Sequence, residues 1–180
     1  MPEILIATDA DAVFEDVSSV VAGPDTLIRR VRTGPGVRDA INARPVDLAI
    51  VDLQIGTMGG IAVALDLRLE SDAGRLAPAP VLLLLDRRAD VFLARRSGVQ
   101  GWLLKPLDPR RVRRAVAALL DGGTFHDATY LPQPVAVPLG GGDGSGGGRE
   151  DGGGDFAGGS KDREGSVEGS LEAEDRAEAG

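Results

Sequence analysis

The sequence predicts a three-layer α/β domain in which a parallel sheet is covered on both faces by helices. Short apolar runs with few or no polar residues recur five times within residues 1–123. Such runs are typical of strands buried on both faces, and each is followed by a segment whose apolar residues fall at helical spacing. Five alternating strands and helices predict a (βα)5 order with a central five-stranded sheet.

Turn and capping residues bound the first two units. Residues 4–7 are predicted as the first strand, and apolar residues at helical spacing between 13 and 21 predict a helix that ends at Gly23-Pro24. Residues 26–32 are rich in β-formers and predict the second strand. The second helix is predicted to begin at Pro35 and to end before Pro45.

The last three units follow the same pattern. Residues 46–51 predict the third strand, followed by a loop over 54–59 and a helix over 60–70. Residues 81–85 predict the fourth strand, and a short helix over 91–96 ends at Gly98. Residues 101–104 predict the fifth strand, and Asp108 is predicted to cap a final helix that ends at Gly122-Gly123.

The composition changes after residue 139. Residues 140–180 carry 11 acidic and 4 basic residues, a net charge of −7, whereas residues 1–139 carry 17 and 16. Gly, Asp, Glu and Ser dominate this tail, which buries too little apolar surface to offset its conformational entropy and is predicted to be disordered. Residues 124–139 contain three prolines and predict either an extended linker or a loosely docked strap.

Several classes of site and location are excluded or disfavoured by composition. The chain has no cysteine, which excludes disulfides and thiolate metal sites and indicates a reducing compartment. A single histidine, His126, excludes a multi-histidine metal site, and we expect it to be structural or solvated. No run approaches a membrane span and no signal sequence precedes the first strand, so we expect a cytoplasmic protein.

Two charged residues stand where buried strands end. The third predicted strand ends in Asp52, and the fifth ends in Lys105-Pro106. Open α/β sheets bind their ligands at the carboxyl ends of their strands. If the two strands are close neighbours, a carboxylate and an ammonium meet above the sheet, which is the chemistry of a phosphoryl switch.

In the order and separation of these residues the chain resembles the receiver domain of bacterial response regulators, the partners of histidine kinases in two-component signalling. The resemblance covers about residues 3–121. The matching features are Thr8-Asp9 after the first strand, Asp52 with Met58 and Gly60 after the third, and Trp102 before Lys105-Pro106 in the fifth. The resemblance implies a flavodoxin-like receiver fold over residues 1–123.

The same resemblance implies roles for individual residues. Asp52 takes the position of the phospho-acceptor and Lys105 that of the phosphoryl sensor. Mg²⁺ would be held by Asp9, Asp52 and the backbone carbonyl of Gln54, because this ion prefers oxygen ligands and keeps several waters. At most, the protein would phosphorylate and dephosphorylate itself at Asp52. The resemblance implies no other enzymatic activity.

Three positions depart from the family pattern. Leu85 stands where the family has a Ser or Thr whose hydroxyl bonds the phosphoryl group, and leucine offers no hydrogen bond. Thr8 replaces the first of two acidic residues, and Gly56 replaces a loop proline. These changes predict a weakened Mg²⁺ site and put the relay from the acceptor to Trp102 in doubt.

Each candidate residue also has a plainer interpretation. Asp52 would then bond loop amides, and Asp9 would be the N-cap of the first helix. Trp102 is expected to contribute packing or an interface. In the family, Leu85, Trp102 and Pro106 correspond to positions of the switch and of the surface that binds partners.

That surface is expected to be rich in arginine. Its candidates lie in or beside the last two helices: Arg87, Arg88, Arg95, Arg96, Arg110, Arg111, Arg113 and Arg114. The resemblance implies a histidine kinase or phosphotransfer protein as donor, and the arginines suggest a downstream protein of acidic character. A homodimer is left open. The acidic tail and the lack of a helix-turn-helix pattern argue against nucleic acid.

Two hypotheses of function follow from these observations. In the first, the chain is a single-domain response regulator that accepts a phosphoryl group on Asp52 and signals by protein contacts. In the second, it is a pseudo-receiver, a binding module that acts independently of phosphorylation. A cofactor-binding enzyme is disfavoured, because no Gly-x-Gly-x-x-Gly follows the first strand and no nucleophile elbow is present.

Overall fold

The computed structural model describes residues 1–129. The tail predicted over 140–180 and most of the segment over 124–139 lie outside the described residues. Within them every predicted strand and helix is found. The elements are β1 (Glu3–Ala7), α1 (Asp11–Val21), β2 (Leu27–Val31), α2 (Gly34–Ala43), β3 (Leu48–Asp52), α3 (Gly60–Asp72), β4 (Val81–Leu85), a 3₁₀ turn (Arg88–Asp90), α4 (Val91–Ser97), β5 (Gly101–Leu104), α5 (Pro109–Leu120) and β6 (Phe125–His126).

All strands are parallel and form one sheet in the order β2-β1-β3-β4-β5-β6. The three-layer (βα)5 architecture is confirmed, but within residues 1–129 the sheet has six strands where five were predicted. The additional strand, β6, pairs Phe125 with Gly101 and His126 with Trp102. Two residues at the beginning of the segment that was predicted as a linker or strap, Phe125 and His126, are therefore part of the sheet.

The sheet divides the core into two layers by the alternation of side chains along each strand. Leu83, Leu85 and Trp102 belong to the layer packed against α2, α3 and α4. Their neighbours Leu82, Leu84 and Leu103 belong to the opposite layer, with residues of α1 and α5. Because successive residues of a strand point to opposite faces, uninterrupted apolar runs are what a sheet covered on both faces requires.

The helix boundaries follow local capping chemistry in two places. The carboxylate of Asp108 accepts a hydrogen bond from the backbone N–H of Arg111 at 2.9 Å, so Asp108 is the N-cap of α5 as predicted. Gly98 ends α4 with a φ of 74°, a left-handed conformation that glycine adopts without strain. None of the helices in residues 1–129 is long and apolar enough to cross a membrane.

A close backbone approach places α3 directly against the end of β3. A Cβ added at Gly60, the first residue of α3, would lie 2.6 Å from the carbonyl oxygen of Asp52 and 2.9 Å from the Cα of Leu53. The backbone N–H of Gly60 donates to the carbonyl of Leu53 at 3.0 Å. Glycine at this position therefore brings the start of α3 against the strand end that carries Asp52.

We expect Gly60→Ala to lower the free energy of unfolding by about 1–3 kcal/mol, because the new methyl group meets backbone atoms that have little room to move. Urea denaturation measures the change. Gly23→Ala is the matched control, since a Cβ at Gly23 meets only the hydroxyl of Thr26, at 3.4 Å. Equal stability of the two variants would contradict the close approach.

Candidate functional site

Four polar side chains converge at the carboxyl ends of the central strands. Thr8, Asp52, Asp86 and Lys105 come at or directly after the ends of β1, β3, β4 and β5. Each continues the alternation that places Ile6, Ile50, Leu84 and Leu103 in the layer shared with α1 and α5. The alternation of side-chain direction along the strands therefore brings the four polar groups together at the carboxyl edge of the sheet.

The carboxylate of Asp52 is buried, and both of its oxygens accept hydrogen bonds. Its side chain is only 2% exposed. Oδ1 accepts from the Lys105 ammonium at 2.7 Å and from the backbone N–H of Gln54 at 3.2 Å. Oδ2 accepts from the hydroxyl of Thr8 at 2.9 Å. Each carboxylate oxygen has two lone pairs, so among these contacts Oδ2 is the atom with acceptor capacity left.

Lys105 contacts two carboxylates at once. Its Nζ atom lies 2.7 Å from Oδ1 of Asp52 and 3.0 Å from Oδ1 of Asp86. Burial lowers the pKa of Lys105, but the hydrogen bonds to Asp52 and Asp86 outweigh that effect and hold the pKa above its usual value. The ammonium is thus kept charged between two acids, one buried and one partly exposed.

Thr8 brings to this site the hydroxyl that Leu85 lacks. Its Oγ1 donates to Asp52 and accepts from the backbone N–H of Ala10 at 3.2 Å. Leu85 is fully buried in the opposite layer, and its contact with the site is a carbonyl that accepts from the backbone N–H of Lys105 at 2.8 Å. The hydroxyl on Asp52 therefore comes from the β1 side of this carboxylate, where the family pattern places an acid.

Asp9 is exposed and lies beside the loop after β3. The N-cap of α1 is Ala10, with no side-chain capping bond, so the alternative that Asp9 caps this helix is wrong. A Cβ added at Gly56 would lie 3.0 Å from Oδ2 of Asp9, and so the missing loop proline leaves room for this carboxylate. Asp11, two residues further on, pairs with Arg30 at 2.6 Å and with Arg32 at 2.7 Å.

The oxygen atoms present are of the kind that Mg²⁺ binds. Residues 1–129 hold no cluster of three or more acidic or histidine side chains able to hold a metal ion. Asp52 and Asp9 supply two carboxylates, and Gln54, whose backbone N–H donates to Asp52, also offers a backbone carbonyl. Because Mg²⁺ retains several waters and is held through one or two carboxylates, this donor set fits the ion. The Thr8 hydroxyl occupies part of the capacity of Oδ2 and weakens the fit.

The loop between β3 and α3 is held in a constrained conformation. Thr57 has a φ of 70°, which is unusual for a β-branched residue. Its hydroxyl donates to the carbonyl of Gly56 at 2.6 Å. Strained residues of this kind tend to occur at functional sites, and this one lies in the loop that follows Asp52.

Trp102 is buried and stacks on His126. The ring centroids are 3.9 Å apart with an interplanar angle of 10°, and Trp102 is 3% exposed. The guanidinium of Arg95 lies 5.8 Å from the Trp102 ring. Burial and the charge of Arg95 lower the pKa of His126. Trp102 packs in the core, and His126, which was expected to be structural or solvated, stacks on its ring while remaining exposed. The Lys105–Pro106 peptide bond is cis.

Asp127 joins β6 to the end of β5. Its carboxylate, 2% exposed, accepts from the Arg111 guanidinium at 2.6 Å and from the backbone N–H of Leu104 and Thr129 at 3.0 Å each. Arg111 also donates to the carbonyl of Pro106 at 3.0 Å. Arg111 was predicted to belong to an arginine-rich surface, but this ion pair directs it inward. The other seven predicted arginines are exposed.

Two residues important to this arrangement escaped the sequence analysis. Asp86 could have been recognised from the sequence, since it comes two residues after Leu84, just as Asp52 comes two residues after Ile50, and so points to the same side of the sheet. Asp127 carries no such signal, because a two-residue strand has no periodicity and its partners come from β5 and α5. Asp52, Lys105 and Thr8 are brought together as their positions predict, whereas Leu85 and Trp102 lie in the other layer of the core.

Comparison with known proteins finds relatives in the family that the sequence resembles. Two curated proteins from two strains of Mycobacterium tuberculosis, both named uncharacterized response regulatory proteins, are 35% identical to this chain. The match spans 98 residues, which is 54% of this chain and 70% of each relative. No family model matches the sequence.

Solved structures of receivers share the fold. A chemotaxis response regulator of Vibrio cholerae superposes with a TM-score of 0.58 and 19% identity, covering 66% of this chain and 98% of that chain. The receiver domain of a histidine kinase from Syntrophus aciditrophicus gives 0.59 and 23%, covering 77% and 100%. An isolated receiver domain from Salmonella enterica, solved with the phosphomimetic beryllofluoride, gives 0.58 and 16%, covering 71% and 94%. At these identities the structures show the fold alone.

The Asp127 network predicts a pH-dependent contribution to stability. Burial raises the pKa of Asp127, but the N–H groups of Leu104 and Thr129, together with the charge of Arg111, outweigh burial and hold it below the usual range. A depressed folded pKa gives stability that is present above the unfolded value of about 3.9 and is lost as the pH falls through the folded value.

We therefore expect Asp127→Asn to lower the free energy of unfolding by about 2 kcal/mol at pH 7, because a buried ion pair loses one partner. The difference between variant and wild type should shrink as the pH falls below about 4. Urea denaturation at a series of pH values measures it. A difference that stays constant from neutral to acidic pH would contradict the role of the ionised carboxylate.

Proposed function

This chain belongs to the response regulator family and carries a receiver domain of two-component signalling, and we propose that Asp52 is its phospho-acceptor. The observation that carries the proposal is the contact at 2.7 Å between the Asp52 carboxylate and the Lys105 ammonium at the rim of the sheet. An acceptor needs a nucleophilic oxygen beside a fixed cation, since charge develops on the phosphoryl oxygens during transfer.

The transfer forms one bond and breaks one. A carboxylate oxygen of Asp52 attacks the phosphorus of a phosphohistidine or of acetyl phosphate, while the bond from phosphorus to the leaving nitrogen or oxygen breaks. The leaving group departs with the electron pair. Lys105, already in contact with Asp52, pairs with the incoming phosphoryl oxygens. No general base is required, because the attacking group is a carboxylate.

We propose that Asp9, Asp52 and the carbonyl of Gln54 hold Mg²⁺ in the active form. When bound, this ion neutralises charge on the phosphoryl oxygens. The Thr8 hydroxyl donates to Oδ2 of Asp52, so a metal ion held through this oxygen would share it with the hydroxyl.

The donor in this proposal is a histidine kinase or phosphotransfer protein, and the output is a protein contact. Phe92 and Leu93 of α4 are 63% and 47% exposed, and the guanidinium of the exposed Arg96 lies 5.6 Å from the centre of the Phe92 ring. Arginine and aromatic side chains together are typical of interface hot spots. An acidic protein surface is the complementary partner.

A specific observation favours a second candidate, the pseudo-receiver. Asp52 is 2% exposed and hydrogen-bonded at both oxygens, and Leu85 supplies no hydroxyl on the β4 side. If the Thr8 hydroxyl and the Lys105 ammonium keep Asp52 permanently closed, the same fold acts as a binding module without phosphorylation. The two candidates differ in whether a phosphoryl group can reach Asp52.

Incubation of the wild-type protein with acetyl phosphate and Mg²⁺ should add one phosphoryl group, and Asp52→Asn should add none, because the amide is not a nucleophile toward phosphorus. Intact-mass spectrometry and hydroxylamine sensitivity of the adduct measure this. Asp47→Asn, which removes a carboxylate five positions before Asp52, is the control and should be labelled like the wild type. Absence of labelling in the wild type, together with no response to beryllofluoride, would favour the pseudo-receiver.

Thr8→Asp should tighten Mg²⁺ binding by about three- to tenfold, because it restores an acidic ligand set and removes the hydroxyl from Oδ2. Without metal it should be less stable than the wild type, since two carboxylates then repel each other. Calorimetric titration with Mg²⁺ measures the affinity, and Thr8→Asn separates the added charge from the change of shape. Equal affinities of the two variants would contradict the placement of the metal.

A further inference from the structure

We propose that Asp86 is a positioning residue that shares Lys105 with Asp52 and transmits the charge state of Asp52 to the segment that begins α4. The proposal rests on the proposed function, since it concerns what a phosphoryl group on Asp52 does to its surroundings. It gives the chain a relay of its own at the end of β4, where Leu85 supplies no hydroxyl.

The first support is the bridging contact of Lys105. The ammonium lies 2.7 Å from Asp52 and 3.0 Å from Asp86, so one positive charge forms ion pairs with two carboxylates. The other oxygen of Asp86, Oδ2, is buried and has no hydrogen-bond partner in the described part of the chain. An unpartnered buried oxygen is unfavourable, and Asp86 therefore depends on Lys105 as its polar partner within the site.

The second support is the charge that phosphorylation adds. Phosphorylation replaces the single negative charge of the Asp52 carboxylate with a phosphoryl group that carries close to two negative charges and three strong acceptor oxygens, a net gain of about one negative charge. The phosphoryl oxygens compete with Asp86 for the Lys105 ammonium, which now lies between Asp52 and Asp86. When Lys105 turns toward the phosphoryl group, its contact with Asp86 is weakened.

The third support is the place to which Asp86 can move. A cleft of about 290 Å³ adjoins the site and is lined by Asp86, Lys105, Arg88 and Arg111, among others. Asp86 is 29% exposed at its side chain, so a rotation toward the cleft does not require the core to open. Arg88, an exposed residue at this cleft, offers a positive charge in place of Lys105, whereas the Arg111 guanidinium is already paired with Asp127.

The fourth support is the connection from Asp86 to α4. Asp86 is the first residue after β4, and the turn that follows is fastened by Asp90, which accepts from the backbone N–H of Arg87 at 3.1 Å and pairs with its guanidinium at 3.0 Å. A displacement of Asp86 is therefore passed to a compact turn that runs directly into α4. Arg95 of α4 lies over Trp102, which extends the connection to the buried ring.

The test compares the full-length wild type with Asp86→Asn, using beryllofluoride with Mg²⁺ as the phosphoryl mimic. Binding is followed by the fluorescence of the single tryptophan, and amide hydrogen exchange is followed over residues 86–97. Asp121→Asn removes an equal charge at the far end of α5 and is the matched control. Asp86→Glu keeps the charge and tests rescue.

Asp86→Asn should bind the mimic about two- to fivefold more tightly than the wild type, because the competing carboxylate is gone. That difference should decrease at about 1 M salt, where charges are screened within about 3 Å. In the wild type the mimic should speed exchange over residues 86–97 by about two- to fivefold, and in Asp86→Asn it should leave exchange unchanged. Asp86→Glu should behave as the wild type, and so should Asp121→Asn.

The outcomes separate the two proposals. If the wild type binds the mimic while Asp86→Asn has the same affinity and the same exchange response, the relay through Asp86 is overturned and the phospho-acceptor role stands. If the wild type neither binds the mimic nor is labelled by acetyl phosphate, the proposed function is overturned and the relay with it. A thermal melt of each variant shows that the differences do not arise from unfolding.

Discussion

Lys105 reaches from the end of β5 past β4 to place its ammonium against Asp52 at the end of β3. A buried carboxylate requires a partner of this kind, because a lone charge with little solvent contact is strongly unfavourable. The contact in turn requires β3, β4 and β5 to be adjacent and in register, which the core on both faces of the sheet enforces. Arg111 supports the same corner by binding the Pro106 carbonyl and the buried Asp127.

The departures of this chain from the family pattern concern the hydroxyl and carboxylate groups around Asp52 and Lys105. The hydroxyl that the family carries at the end of β4 is absent at Leu85, while Thr8 directs a hydroxyl to Asp52 from β1. The first of the two acids that the family carries after β1 is absent at Thr8, while Asp86, the residue after Leu85, places a carboxylate on Lys105. The consequence is a site with one lysine between two acids.

Much of the fold was predictable because its signals are local and repetitive. Five uninterrupted apolar runs, the caps at Asp108 and Gly98, and the charged residues after two strands all follow from short stretches of sequence. The sixth strand was not predictable, because two residues are too few to show an alternation of polar and apolar side chains. They form a strand by pairing with the edge of β5. Asp86 was predictable in principle from its parity with Asp52, whereas Asp127 becomes visible only when Leu104 and Arg111 are brought beside it.

The sharing of Lys105 between Asp52 and Asp86 links the acceptor to α4, and it distinguishes a switch from a fixed binding module. A pair of crystal structures of the full chain, free and with Mg²⁺ and beryllofluoride bound, observes that sharing directly. Lys105 is expected to contact a fluorine of the mimic in the bound form, with the Asp86 carboxylate beyond hydrogen-bond distance and turned toward Arg88. A bound structure in which Lys105 keeps its contact with Asp86 and α4 is unmoved would contradict the switch.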